Sequence, residues 1–178
     1  TVYADPQAFH FVDITEVYSN ADGTRQYVEL ISNSAGQNGL TPTWIISLNA
    51  DGTDTNIVFD FVATYAPGFN LNQTILLMTA SMQSDLGIVA DFTIPDNSIF
   101  FPDGRVIFED PPPLPQVVDA VAYGAFTGYN TGFGSPTAAM PGDDCRALLH
   151  NIRFTIPQNN ALHWGVGLGT PRNHAGET

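Results

Sequence analysis

Apolar and polar residues alternate with period two along much of this chain, the pattern of half-buried strands rather than helices. The run Phe9-His10-Phe11-Val12-Asp13-Ile14-Thr15-Glu16-Val17-Tyr18 shows it first. After Asn20-Ala21-Asp22-Gly23-Thr24 the chain returns through Gln26-Tyr27-Val28-Glu29-Leu30-Ile31. Asp and Gly accept the positive φ that tight turns demand, so these pieces predict a β-hairpin. The same pentapeptide recurs at Asn49-Ala50-Asp51-Gly52-Thr53, between Trp44-Ile45-Ile46-Ser47-Leu48 and Ile57-Val58-Phe59-Asp60-Phe61-Val62. A third Asp-Gly pair, Asp103-Gly104, separates Ile99-Phe100-Phe101 from Arg105-Val106-Ile107-Phe108 and predicts a third hairpin. Residues 74–78 and 116–123 read as further strands, and residues 81–86 as the one helical turn. Many short strands with closely spaced turns predict an all-β sandwich or barrel.

The connections are of two kinds. Pro111-Pro112-Pro113 followed by Pro115 is a stiff extended connector, and residues 124–142, rich in Gly, Thr, Ser and Pro, read as a long surface loop. With 178 residues, 43% of them hydrophobic and 13% charged, the chain carries enough apolar material for one full core. Its charge is one-sided: 18 acidic residues face five Arg and no Lys, for a formal net charge of -13. Such a surface repels phosphate backbones and anionic lipid headgroups, which argues against nucleic acid and membrane surfaces as partners. No apolar run reaches the roughly 18 residues of a membrane span.

Cys145 is the single cysteine, so an intrachain disulfide is excluded. Asp143 and Asp144 disfavour its thiolate while Arg146 partly offsets them, and the expectation is a buried, inert thiol. A first residue other than Met, with the abundance of Asn, Thr, Gly and Asp, leads to the expectation of a cleaved signal peptide and a secreted or cell-surface location.

Candidate chemistry is sparse. Asn49, Asp51, Asp54 and Asn56 bring four oxygen-bearing side chains into eight residues, a set that suggests calcium, which takes six to eight oxygen ligands. The spacing departs from an Asp-x-Asp-x-Asp-Gly loop, no bidentate Glu follows, and the same residues also serve plain Asp-Gly turns. Asp143 and Asp144 form a second acidic loop. There is no Gly-x-Ser-x-Gly elbow. His10, His150, His163 and His174 are scattered, with His163-Trp164 read as packing in a closing strand. The four Glu, at 16, 29, 109 and 177, do not mark out a glycosidase pair. No catalytic residue is assigned. Tyr123, Phe126, Tyr129 and Phe133 lie among glycines, and Phe126, Tyr129 and Phe133 are candidates for stacking on a sugar ring or docking a protein. The competing reading is that the loop folds back and buries them as a lid. Val2-Tyr3-Ala4 is β-prone and precedes the first strand, so it suits an arm added to the sheet edge of a neighbouring molecule.

Four stretches, in order, resemble the lamin-tail domain family. They are Ile14-Thr15-Glu16-Val17-Tyr18 with Gln26-Tyr27-Val28-Glu29-Leu30; Leu40 with Trp44-Ile45-Ile46 and Val58-Phe59-Asp60-Phe61; Val117-Val118-Asp119-Ala120-Val121-Ala122-Tyr123-Gly124; and Thr170-Pro171-Arg172-Asn173. Thr41-Pro42-Thr43 stands where the family has Gly before Trp44, and Arg172 stands where Gly is usual. The resemblance, spanning residues 12 to 173, implies an immunoglobulin-like β-sandwich over residues 12–178 preceded by an arm over residues 1–11. It implies no catalytic set. The expected function is therefore a non-catalytic extracellular structural or interaction domain, self-assembling through its arm or meeting another surface protein. The alternative is a carbohydrate- or protein-binding module with a calcium-stabilised loop.

Overall fold

A computed structural model describes residues 11–37, 40–61, 70–110, 116–143, 146–152 and 158–178, and within them two β-sheets pack face to face. The larger sheet holds β1 (Val12–Ser19), β2 (Gln26–Ser32), β5 (Thr74–Thr79), β6 (Phe92–Ile94), β9 (Arg146–His150) and β10 (Trp164–Leu168). Their order across the sheet is β10-β9-β1-β2-β5-β6, with β6 alone parallel to its neighbour. The smaller sheet holds β3 (Thr43–Leu48), β4 (Thr55–Phe61), β7 (Gly104–Glu109) and β8 (Val117–Tyr123), in the order β4-β3-β7-β8. Two short helices complete the described elements, α1 (Ala80–Leu86) and α2 (Asn160–His163).

Alternation explains the layers. Val12, Ile14, Val17, Val28, Leu30, Ile75, Leu77, Leu148 and Trp164 point inward from the larger sheet. They meet Ile45, Val58, Phe61, Val106, Phe108, Val121 and Tyr123 from the smaller one, and all are buried. Each contributes on the order of 1.5–3 kcal/mol by leaving water. A register shift between Ile14 and Glu16 breaks the period of two. Ile14 and Val17, an odd number of positions apart, therefore both face the core, while Glu16 lands on the outer face opposite Glu29.

Each outer face carries a smaller apolar cluster. On the larger sheet Tyr18, Tyr27, Leu76, Met78 and Ala147 lie beneath Met82 of α1, Ile88 and Ala90. On the smaller sheet Ile46, Ile107 and Ala120 pack with Trp44 and Leu48 of β3, Val117 of β8 and Phe133. Asp119 of β8, fully buried, reaches across the sandwich and accepts the Ile14 amide of β1 at 2.7 Å.

Two expectations are corrected. Asp103-Gly104 does not close a hairpin: β7 already has β3 on one side and β8 on the other, so neither side is left for residues 99–101. That segment instead crosses the core, where the Gln26 amide stands in for a strand. The Ile99 amide donates to Gln26 Oε1 at 3.1 Å, and Gln26 Nε2 donates to the Ile99 carbonyl at 2.7 Å. Nor is the 124–142 stretch purely surface. Phe126, Thr137 and Met140 are buried, and Thr137 pairs with Tyr123. The Pro111–Pro113 and Pro115 connector lies outside the described residues.

Candidate functional site

The richest concentration of chemistry lies on the outer face of the larger sheet, where residues 169–173 run as a strap beyond β10. Glu16 and Glu29 sit directly opposite one another on β1 and β2, only 8% and 5% exposed. The strap is tied to both. Glu16 accepts the Thr170 amide at 2.9 Å on Oε2 and the Thr170 hydroxyl at 2.9 Å on Oε1, and Tyr27 donates its hydroxyl to Oε2 at 2.8 Å. Glu29 accepts the Thr15 hydroxyl at 2.8 Å and the Arg172 amide at 2.6 Å. Beyond the pair opens a cleft of about 390 Å³ that also reaches His150, Asn151 and Thr178.

Two buried carboxylates this close cannot both ionise cheaply. Burial, and then the charge of Glu16, push Glu29 up to about 7. Burial and the same neighbour raise the Tyr27 phenol well above its ordinary range. A raised carboxyl beside a second carboxyl is the arrangement of an acid–base pair. Here, however, all four carboxylate oxygens already accept hydrogen bonds from the chain itself. The pair clamps the strap.

On the other side of the strap lies a cavity of about 330 Å³ between α1 and the sheet. Its floor is the stacked pair Tyr18 and Tyr27, ring centroids 5.6 Å apart. Met82 and Leu86 form one wall, Gly169 and Pro171 the other, and Arg25 pairs with Asp85 at the rim. The strap thus alternates like a strand: residues 169 and 171 face the tyrosines, while 170 and 172 hold the carboxylates.

The four residues considered for calcium do not build a cage. Asn49 Oδ1 accepts the amides of Thr53 and Asp54, at 2.9 and 3.1 Å, and Asp51 Oδ1 accepts the Thr53 amide and hydroxyl. Asn49 turns its amide nitrogen toward Asp54, where a shared cation would need an oxygen, and Asn56 donates to the Asn97 carbonyl. The earlier copy of the pentapeptide repeats most of these bonds. Asn20 Oδ1 accepts the Arg25 amide and Asp22 Oδ1 accepts the Thr24 amide and hydroxyl. The Thr hydroxyl, then the Thr amide, holds Asp22 and Asp51 alike below the usual carboxylate range. These oxygens serve the turn. Among the described residues no three His, Cys, Asp or Glu come together as metal ligands.

The three loop aromatics part company. Phe126, a stacking candidate that the lid reading would bury, is 6% exposed because it packs on the glycines of the second turn and its own loop, Gly52 and Gly128. Phe133 is half-buried beneath the Arg105 guanidinium, 5.2 Å from its ring centre. Tyr129 alone is open, at 77%. Its carbonyl accepts a 2.8 Å bond from Arg105, itself buried, so an exposed ring stands on a fixed backbone. The histidines are apart. His150 stacks on buried Trp164, centroids 4.6 Å apart, and His163 Nδ1 accepts the Asn159 amide. Asp143 pairs with exposed Arg146 at 2.6 Å. Val2, Tyr3, His10, Asp144 and Cys145 lie outside the described residues.

The sequence reading missed Glu16 with Glu29, Asp119 and Arg105 as structural partners. One signal was present. Counting outward from the first turn pairs Ser19 with Gln26, then Tyr18 with Tyr27, Val17 with Val28, and Glu16 with Glu29. Compared with family models, with curated proteins and with solved structures, the chain finds no match.

Proposed function

We propose that this chain is a non-catalytic, extracellular interaction domain of immunoglobulin-like, lamin-tail type, which associates with copies of itself by strand addition at the β10 edge. The observation that carries the reading is the state of the four sheet edges. Strand β8 is shielded by Thr137 and by Asn160, whose side chain bonds the Ala122 amide and Ala120 carbonyl. Strand β6 is three residues long, and β4 carries Asn56 and Asp60. Strand β10, Trp164-Gly165-Val166-Gly167-Leu168, has neither charge nor proline along it, the devices that normally blunt an edge. Val166 is 38% and Leu168 70% exposed, with Leu162 nearby at 70%.

The occupant we assign is the N-terminal arm of a second copy, whose Val2-Tyr3-Ala4 stretch is β-prone in sequence. Fully extended the arm spans about 33 Å, more than β10 needs. Addition of this kind is head-to-tail and builds open chains. Light scattering on the intact protein, on one lacking residues 1–8, and on Val166→Lys tests it. Large species that disappear in both variants are expected; a monomer in all three removes the assembly reading.

The stretches that carry the lamin-tail resemblance meet in the fold. Glu16 and Glu29, from the opening pair of stretches, bond Thr170 and Arg172 of the closing stretch, and Asp119 of the third bonds Ile14 of the first. A second reading, glycan binding, draws on Tyr129 and its fixed backbone. A glycan array that lights up with the native protein and darkens with Tyr129→Ala would favour it.

A further inference from the structure

Strap and carboxylate pair together make a conformational device. Like charges directly opposite on antiparallel strands repel, and Glu16 and Glu29 do so where each is almost wholly buried. What keeps water away is the strap, and the strap is held by the carboxylates it covers. We propose that residues 169–172 form an acid-closed latch, docked while the Glu16–Glu29 pair holds one proton and lifted when both carboxylates are charged. Lifting gives the pair solvent and takes away the Gly169 and Pro171 wall of the tyrosine cavity, so the latch also sets whether that cavity exists. Gly169 is the residue that lets the strap lie this low, since a Cβ there would stand 2.3 Å from the Tyr27 hydroxyl oxygen.

The direction follows from linkage. Docked, Glu29 is pushed up to about 7, against 4.5 for the ordinary group. The docked form therefore binds the extra proton, and rising pH favours the open form. The other titratable groups facing the pair are Tyr27 from β2, His150 from β9 and Arg172 from the strap. Arg172 favours the charged carboxylate and opposes the effect. His150 requires its own control.

The amide protons of Thr170 and Arg172, the two backbone donors to the pair, report the latch directly. Their hydrogen-exchange protection, corrected for the intrinsic rate, is expected to fall roughly thirtyfold between pH 5.5 and 8.5. The amides of Val28 and Leu77, deep in the sheet, serve as the reference for global opening. In Glu29→Gln the fall should vanish, and Glu16→Gln should flatten it as well, so one variant suffices if the other does not fold. In His150→Gln it should persist. The proposal is overturned if protection is the same at both pH values in the native protein. It is equally overturned if the fall survives in the Glu variants, vanishes in His150→Gln, or merely tracks Val28 and Leu77.

Discussion

Replacing Asp119 with Asn should change stability by an amount that depends strongly on pH, because of its surroundings in the sandwich. Its carboxylate accepts the Ile14 amide at 2.7 Å and the Ala120 amide at 2.8 Å, with no exposure to solvent. Burial, and then the charge of Asp13, push it up to about 7 from 3.8. A carboxyl raised in the folded state makes its full contribution below the unfolded value and loses it as pH rises through the folded one. Between pH 5 and pH 8 that loss is about 3 kcal/mol for this residue. Asn is neutral throughout and escapes it. At pH 5 the variant suffers because one of the two acceptor oxygens becomes an amide nitrogen facing an N–H, at a cost of about 1–3 kcal/mol. The deficit should therefore shrink to nothing, or reverse, by pH 8. Urea unfolding of both proteins at the two pH values measures it. A deficit that is the same at pH 5 and pH 8 would refute the assignment of a proton to this carboxyl.

Two further effects follow from local geometry. Gly124 has φ +65, and a Cβ there would lie 1.9 Å from Asp103 Oδ1, whereas Gly36, at φ +77, has open space around it. Gly124→Ala should lower Tm by several degrees more than Gly36→Ala, each also losing about 1 kcal/mol to the left-handed backbone; equal losses would remove the steric argument. Asn20→Ala and Asn49→Ala delete largely the same turn bonds and should each cost about 1–2 kcal/mol by analogy with lost caps. Calcium should leave the Tm of the native protein unchanged, and a rise abolished by Asn49→Ala alone would restore a cation site to the second turn.

How much could be read in advance depended on whether the determining contact was local. The first two hairpins were legible because Asn-Ala-Asp-Gly-Thr closes on itself, with every bond inside six residues. The Glu16–Glu29 opposition was countable from that turn. The third Asp-Gly misled because a turn residue says nothing about whether the following strand has a free side. Strand β10 was legible only at Trp164, read as packing in a closing strand, because its glycines carry no β signal. They are small for a reason invisible in one dimension: a Cβ on Gly167 would stand 2.5 Å from Leu149 Cδ1. Burial of Phe126 likewise rests on the second turn, some seventy residues earlier in the chain.

The buried acidic residues act as connectors between elements. A segment crossing a sheet face brings backbone N–H groups that no ladder satisfies, and a carboxyl group, with two oxygens able to accept, is suited to them. Glu16 and Glu29 do this for the strap, Asp119 for β1, and Asp103 for Ala125. Asp91 takes both Leu76 and His174 amides on one oxygen, at 2.8 Å each. The consequence is a sandwich whose inter-element ties are carboxylates in a chain of net charge -13. The most deeply buried of them, Glu29 and Asp119, hold protons more firmly folded than unfolded, so mild acid tightens the fold. It also lowers the net charge and with it the repulsion between copies. Latch closure and association at β10 should therefore rise together as pH falls from 8 to 5. A light-scattering series across that range, run on the native protein and on Glu29→Gln, separates the two causes. Growth that is equal in both follows net charge alone, while growth blunted in the variant depends on the buried carboxyl.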